Sequence, residues 1–362
     1  MQHKISFFTA CKGRTYHLKE TLPANIKDNE SYPNLEFLIL DYNSEDGLEE
    51  WIRQNFRSHI EEGRLTYIKT SDPQYWFSSH ARNIACKKAE GDILCSVDAD
   101  NFIGKNFAHY LNDEFNKDAN IFLAPDRRNN PRADTFGRIC FKKEDFFKIR
   151  GYDESIVGWG FEDTDMVYRL KNLGLRKVII DNHDFLNAIE HANGERIEKQ
   201  KNYAEIKSIY ALSRKDEIDF IFLYKDMHFE IGTIELNSPK MIEFTGHKGS
   251  ILKAPGWKRG QWYINGSEIY FLSKKRNRVS QIGSIKTNLR DGEESLIIGR
   301  NIYVGLKDYG IINYAIMTNQ FVKNYQKFKD NCLKKNKIVN PNTFGIADVE
   351  INFSKEAVYC NS

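Results

Sequence analysis

No run of about 18 consecutive apolar residues occurs in this 362-residue chain, so no segment reads as a bilayer-spanning helix. Proline is scarce at 8, and glycine is ordinary at 23. With 41% hydrophobic and 28% charged residues, this composition excludes collagen-like, low-complexity and wholly disordered chains. A charge excess is missing too: 53 basic against 50 acidic residues leave a net +3, without the basic surplus of a dedicated nucleic-acid binder. Cys11, Cys86, Cys95, Cys140, Cys332 and Cys360 form no CxxC and no regular framework, which fits a reduced, cytoplasmic compartment. The opening segment, MQHKISFFTACKGR, has too short an apolar stretch for a signal peptide and lacks a small-residue cleavage site. It reads as a first β-strand. Rings are abundant, with 24 Phe and 18 Tyr, which suits a ring-rich core and carbohydrate contact equally.

At roughly 100–200 residues per domain, the length predicts two domains. The first half alternates strand and helix. Lys4–Ala10, Leu35–Asp41, Leu65–Lys69 and Asp92–Val97 read as strands; Thr15–Ile26, Leu48–Phe56 and Ser79–Ala89 read as helices. Leu35–Asp41 (LEFLILD) is an almost unbroken apolar run, as expected of a strand buried on both faces of a parallel sheet. The alternation predicts an α/β, doubly wound, mostly parallel sheet. Ligands of such sheets sit beyond the carboxyl ends of the strands. That draws attention to Cys11–Arg14, Asp41–Asp46 and Asp98–Asn101. A long helix is expected over Glu195–Ser213. From Ile218 to Tyr303 apolar and polar residues alternate between Gly and Asn turns, predicting a smaller β-rich C-terminal domain. A helix over Ile311–Lys335 and a last strand within Ile346–Tyr359 follow. The expected division is 1–214 and 215–362, with the boundary near Arg214–Glu217.

Two local patterns carry chemistry. In Cys95–Asn101 (CSVDADN), an apolar strand runs into Asp98 and Asp100, which period-two alternation places on one side. Two carboxylates there suit Mn²⁺ or Mg²⁺, which pair few protein oxygens with substrate phosphates. The bland alternative is an acidic turn after a strand. In Gly158–Asp165 (GWGFEDTD), two glycines flank Trp159, and Glu162, Asp163 and Asp165 open a helical run. The helix dipole alone accounts for acids at a helix start. A carboxylate so placed also serves as a general base toward a hydroxyl nucleophile.

Together these motifs resemble glycosyltransferases of the GT-A fold. His80–Asn101 (HARNIACKKAEGDILCSVDADN) and Asp41–Gly47 are similar to the large family two of inverting enzymes. Gly151–Gly174 (GYDESIVGWGFEDTDMVYRLKNLG) resembles the GWG-x-ED segment of β-1,4-galactosyltransferases, polypeptide N-acetylgalactosaminyltransferases and bacterial chondroitin-type polymerases. The resemblance covers roughly residues 3–212, and three motifs in order are far more specific than any one. It implies that Asp41, with Thr9 beside it, recognises uracil, and that Arg14 and Arg82 contact the nucleotide diphosphate. Asp98 and Asp100 would hold the metal, with His191 as a third ligand and His183 as its rival. Trp159 would pack on a sugar. Asp163 would be the catalytic base and Glu162 its neighbour gripping a hydroxyl. Asp153–Gly160 becomes a candidate lid, and Asp126–Thr135 a polar loop on the acceptor side. Tyr42 stands where many relatives carry a second Asp. Phe161 replaces the Gly usual in galactosyltransferases, so galactose specificity is not carried over.

The expectation is an inverting, metal-dependent glycosyltransferase of hexosyl type. It would move a sugar from a nucleotide-sugar donor, UDP-linked by family analogy, to a hydroxyl of a glycan or lipid-linked acceptor in bacterial surface polysaccharide assembly. The rivals are a sugar nucleotidyltransferase and a catalytically silent glycan-binding or scaffold protein. Between Lys248 and Arg290 lie ten Lys/Arg and a single acid, Glu268, interleaved with Trp257, Trp262, Tyr263, Tyr270 and Phe271. A solvated basic face is the plain reading. The sharper one is peripheral contact with an anionic membrane surface.

Overall fold

The computed structural model describes residues 1–126, 134–214, 217–226, 228–235, 258–265, 268–273, 278–288 and 293–355. Two compact units divide the chain: Met1–His191 together with Asn324–Ser362, and Ala192–Lys323.

The first unit follows the expected alternation. Its elements run β1 (Ile5–Cys11), α1 (Thr15–Asp28), β2 (Leu35–Tyr42), α2 (Leu48–Asn55), α3 (Arg57–Glu61), β3 (Leu65–Thr70), α4 (Ser78–Lys88), β4 (Ile93–Ser96), β5 (Asn101–Phe102) and α5 (Phe107–Lys117). Then come β6 (Ile121–Pro125), β7 (Cys140–Lys142), α6 (Lys143–Lys148), α7 (Glu162–Asn172), β8 (Arg176–Ile180) and β9 (Asn187–Ala188). β3, β2, β1 and β4 lie side by side and parallel. β7 enters antiparallel beside β4, followed by β6 and β8. The chain steps outward from β1 to β2 and β3, then returns to place β4 on β1's other edge. The switch point therefore lies between β1 and β4, where the sheet opens a crevice for ligands.

Alternation along these strands supplies two cores. Phe7, Phe37 and Ile39 join Leu18, Ile52 and Phe107 on one face. Phe8, Leu38 and Leu40 join Ile84, Phe146 and Met166 on the other. Strands buried on both faces explain why LEFLILD carries almost no polar residue.

The second unit starts earlier than the sequence suggests. Glu195–Ser213 is not one helix. It forms α8 (Asn193–Ile197), α9 (Lys201–Glu205) and then β10 (Ile206–Ser213). β10 pairs with β11 (Glu217–Tyr224) on one edge and β17 (Asn301–Gly305) on the other. Between them run β12 (His228–Glu235), β13 (Lys258–Asn265), β14 (Glu268–Ser273), β15 (Arg278–Asn288) and β16 (Glu293–Ile298), closing an antiparallel barrel. Ile206, Ile209 and Tyr210 have the β-branched and aromatic character that strand pairing rewards. β10 is the stave that closes the barrel, so the boundary falls at His191/Ala192 rather than near residue 214. Tyr210, Ile221, Leu223, Phe229, Leu296 and Tyr303 fill the barrel's core.

α10 (Tyr309–Leu333) contains the second division of the chain, and its last turns belong to the first unit. The tail does not extend the β-rich domain. β18 (Glu350–Ile351) pairs antiparallel with β3, and β19 (Ser354–Lys355) pairs with β18. Phe344 is buried in the second core of the first unit. Among the described residues, no helix is long and apolar enough to cross a membrane. The side chains of the basic stretch Lys248–Arg290 lie outside the described residues.

Candidate active site at the switch point of the sheet

The carboxyl ends of β1, β2 and β4 hold five of the residues singled out from the sequence: Thr9, Arg14, Asp41, Asp98 and Asp100. Asp41, at the end of β2, is 1% exposed. Its Oδ1 accepts from the Ser44 backbone N–H and its Oδ2 from the Tyr67 hydroxyl, both at 2.7 Å. Burial raises its pKa, and these hydrogen bonds oppose the rise. Thr9 is buried on β1, two residues before Cys11, which lies in register with Asp41. Arg14 caps the start of α1 and donates to the Tyr16 hydroxyl at 3.1 Å. The loop beside it is tied down: Asp46 accepts from the Thr15 N–H and hydroxyl, and Lys12 Nζ donates to the carbonyl of Asn43 at 2.6 Å.

After β4 the two aspartates part company. Asp98 pairs with Arg82 Nη2 at 2.9 Å. Asp100 pairs with His191 Nε2 at 2.8 Å, and both side chains are 7–8% exposed. Asp100, Asp134 and His191 offer donor atoms that all lie within 4.8 Å of one another. Asp98, expected from the D-x-D pattern to share a metal with Asp100, stands outside this group and lies on Arg82 instead. Strand geometry explains the split. β4 ends at Ser96, and Asp98–Asp100 turn, so period-two alternation no longer applies. Two carboxylates and one imidazole suit Mn²⁺ and similar ions better than an all-oxygen Mg²⁺ site. Burial opposes ionisation of Asp100, yet the hydrogen bond and charge of His191 hold its pKa below the ordinary value. His183 lies exposed on a short 3₁₀ turn, outside that group. Asp134 was visible in the sequence only as part of a polar loop. Residues 127–133 of that loop lie outside the described residues.

Arg82, on α4, organises the other half of the site. Its side chain is 9% exposed and meets three carboxylates: Asp98, Asp163 at 2.9 Å and Glu162 at 3.6 Å. Tyr152 lies beneath, 5.5 Å from the guanidinium. Desolvation opposes Arg82's charge, but Asp163 and Asp98 outweigh it and hold its pKa well up. Gly137 roofs this cluster. A Cβ there would come 2.7 Å from Asp98 Oδ2 and 3.4 Å from Asp163 Oδ2. Only the structure reveals this constraint.

The three acids of GWGFEDTD take different directions. Glu162 and Asp163 face Arg82. Asp165 points inward to Arg169 at 2.6 Å, with both side chains fully buried. Arg169 Nη1 also donates to the carbonyls of Ile149 and Gly151, so this pair pins α7 to the preceding loop. Phe161, at the N-cap of α7, has a φ of 75°, the left-handed region that glycine adopts without strain. Its ring packs on Tyr325 and Phe328 of α10. Asn324 donates to the carbonyls of Trp159 and Gly160, Lys327 donates to that of Ser155, and Asn331 bridges Asp153 and Asp165. The segment expected as a lid is thus held along its backbone by the end of α10.

Comparison with known proteins gives one family match and several structural ones. Residues 124–206 match the family model described as the N-terminal domain of galactosyltransferase. No curated protein matches the sequence. Among solved structures, the chain is similar to the mannosyltransferase PcManGT of Pyrobaculum calidifontis in complex with GDP-Man and Mn²⁺. The identity is 19%, with 50% of this chain and 56% of that one covered and a TM-score of 0.42. It is similar also to S. aureus TarS in complex with UDP: 13% identity, 52% and 61% coverage, TM-score 0.44. A Drosophila β-1,4-galactosyltransferase 7 mutant with manganese, UDP-Gal and xylobiose gives 15% identity, 55% and 76% coverage and a TM-score of 0.38. The chain spans 56–61% of the length of the first solved structures it matches.

Proposed function

We propose that this protein is an inverting, divalent-metal-dependent glycosyltransferase of hexosyl type. One observation carries the reading. Arg82 ties Asp98 to Asp163, while Asp100, two residues from Asp98, belongs to an oxygen–oxygen–nitrogen donor set with Asp134 and His191. A charge-binding half and a proton-accepting half thus meet at the switch point of the sheet.

Asp100, Asp134 and His191 would hold Mn²⁺ or Mg²⁺, which supplies Lewis-acid stabilisation of a leaving nucleoside diphosphate. Asp41 accepts a hydrogen bond from the nucleobase, uracil by family analogy, with Thr9 alongside. Arg82 and Arg14 are the cations available to the diphosphate. Asp163 accepts the proton of the acceptor hydroxyl as that oxygen attacks the anomeric carbon from the opposite face. Glu162 orients a sugar hydroxyl, and Trp159 offers a ring for stacking. The donor is a UDP-sugar and the acceptor a glycan or glycolipid of a bacterial surface polysaccharide. The protein acts in the cytoplasm, with peripheral contact to the membrane through residues 248–290.

The test is release of free nucleoside diphosphate from a panel of sugar nucleotides, with Mn²⁺ and with EDTA. Metal-dependent release from one donor supports the reading and names the sugar. If neither release nor metal-dependent UDP binding occurs, the reading is wrong.

A further inference from the structure

Asn101 is the first residue of β5 and is wholly buried. Each of its polar groups is used. Its N–H donates to the Asp98 carbonyl, and its carbonyl accepts from Asn25 Nδ2, both at 2.9 Å. Its side-chain Nδ2 donates to Asp100 Oδ1 at 2.9 Å and to the Asp134 carbonyl at 3.0 Å. Its Oδ1 accepts from Arg138 Nη2 at 3.0 Å. Arg138 has donors only, so the carboxamide has one acceptable orientation: oxygen toward the guanidinium, amine toward the two aspartates. Reversing it would set two donors against each other and a carbonyl against a carboxylate. The backbone does the rest. β5 pairs with β9, and the Ile189 N–H donates to the Asp100 carbonyl at 2.8 Å, two residues before His191. Asn101 thus hydrogen-bonds to two of the three donor residues, and its strand pairs with the segment that leads to the third.

Arg138 itself is an expensive residue. It is wholly buried, and its Nε and Nη1 have no acceptor among the described residues. The Phe107 ring lies 5.9 Å away. Burial lowers its pKa from the ordinary arginine value. A buried cation with one acceptor is a poor stabiliser, and an apolar side chain of similar volume commonly serves stability as well or better.

We propose that Asn101, locked by Arg138, is the positioning residue that sets divalent-cation affinity at Asp100, Asp134 and His191. The proposal rests on the metal reading above. Residues hydrogen-bonded to metal ligands typically change affinity by about 10–100-fold when removed.

The experiment is Mn²⁺ titration followed by electron paramagnetic resonance of the free ion, with thermal unfolding of the same metal-free samples. Arg138→Met is expected to keep or raise the unfolding midpoint while weakening Mn²⁺ binding about 10-fold or more. Arg138→Lys, which retains one donor for Asn101 Oδ1, is expected to recover part of the affinity. The double variant Asn101→Leu with Arg138→Met removes both partners together, so it guards against an unpaired buried group preventing folding. It should bind Mn²⁺ as weakly as Arg138→Met. Wild-type affinity in both Met-bearing proteins overturns the proposal, as does a fall in midpoint with affinity unchanged. Absence of Mn²⁺ binding by the wild type is a different failure: it removes the metal reading, and this proposal with it.

Discussion

Arg82 Nη1 donates to Asp163 Oδ1 at 2.9 Å, so the residue assigned as base starts from an ion pair. Asp98 and Glu162 share the same guanidinium. Asp163→Asn keeps the shape and removes the base. Turnover is expected to fall about 10²–10⁴-fold. UDP affinity should stay within a few-fold, as read by titration calorimetry; turnover near wild type would remove Asp163 from the role. Arg82→Lys should also lose activity, because one ammonium cannot bridge Asp98 and Asp163 as a planar fork does.

Gly137 sits where any side chain touches the cluster. Its Cβ would come 2.7 Å from Asp98 Oδ2 and 3.1 Å from Arg82 Nη2, so side chains of the ion pair, not the backbone, must shift to accommodate it. Gly137→Ala is therefore expected to change the thermal midpoint slightly while lowering kcat clearly. A loss of midpoint with full kcat would contradict it.

Phe161 inverts the usual ranking of glycine and alanine. In the left-handed region, a non-glycine residue costs about 1–2 kcal/mol. Both Phe161→Ala and Phe161→Gly lose the ring contacts with Tyr325 and Phe328, but only glycine relieves the backbone. Chemical denaturation should find Phe161→Gly more stable than Phe161→Ala by about 1 kcal/mol.

Asp41 predicts a pH signature. Its pKa is raised in the folded protein, chiefly by burial. A raised carboxyl contributes its stability below the unfolded value, near 3.8, and loses it as pH rises through the folded value. Unfolding free energies of wild type and Asp41→Asn, measured from pH 3.5 to about 7.5, should therefore diverge in one direction. Wild type loses ground to the variant as pH rises. A difference independent of pH would mean that Asp41 titrates normally.

The metal role proposed for His191 predicts an effect on stability. A ligand that binds only the folded state at 100 times its Kd adds about 2.7 kcal/mol. Mn²⁺ should raise the wild-type midpoint, EDTA should reverse the rise, and His191→Ala should abolish it. An equal rise in the variant would exclude His191 as a ligand.

Apart from the short α3, the order of strands and helices through Ser96 was legible because each strand is a short apolar run and each helix has its own period. The switch point follows from that order. The GWG-x-ED and D-x-D segments meet at Arg82, and their places at a helix start and a strand end needed little tertiary context. Two things were not legible. Glu195–Ser213 read as a helix because a strand that closes a barrel is defined by partners up to about a hundred residues away, not by its own period. The tail from Asn324 read as part of the second domain, but its burial against the first is a long-range packing choice.

The sequence by itself determined the α/β alternation, the crevice end of the sheet and the residue types gathered there. Only the tertiary structure decided which acid does what. Asp98 turns to Arg82, Asp100 to His191 and Asp165 to Arg169. Asp134 arrives from a loop with no pattern of its own. The physical reason is that a carboxylate near a turn or a helix start can face several directions at equal local cost. The cations that choose among them are contributed by distant segments of the chain.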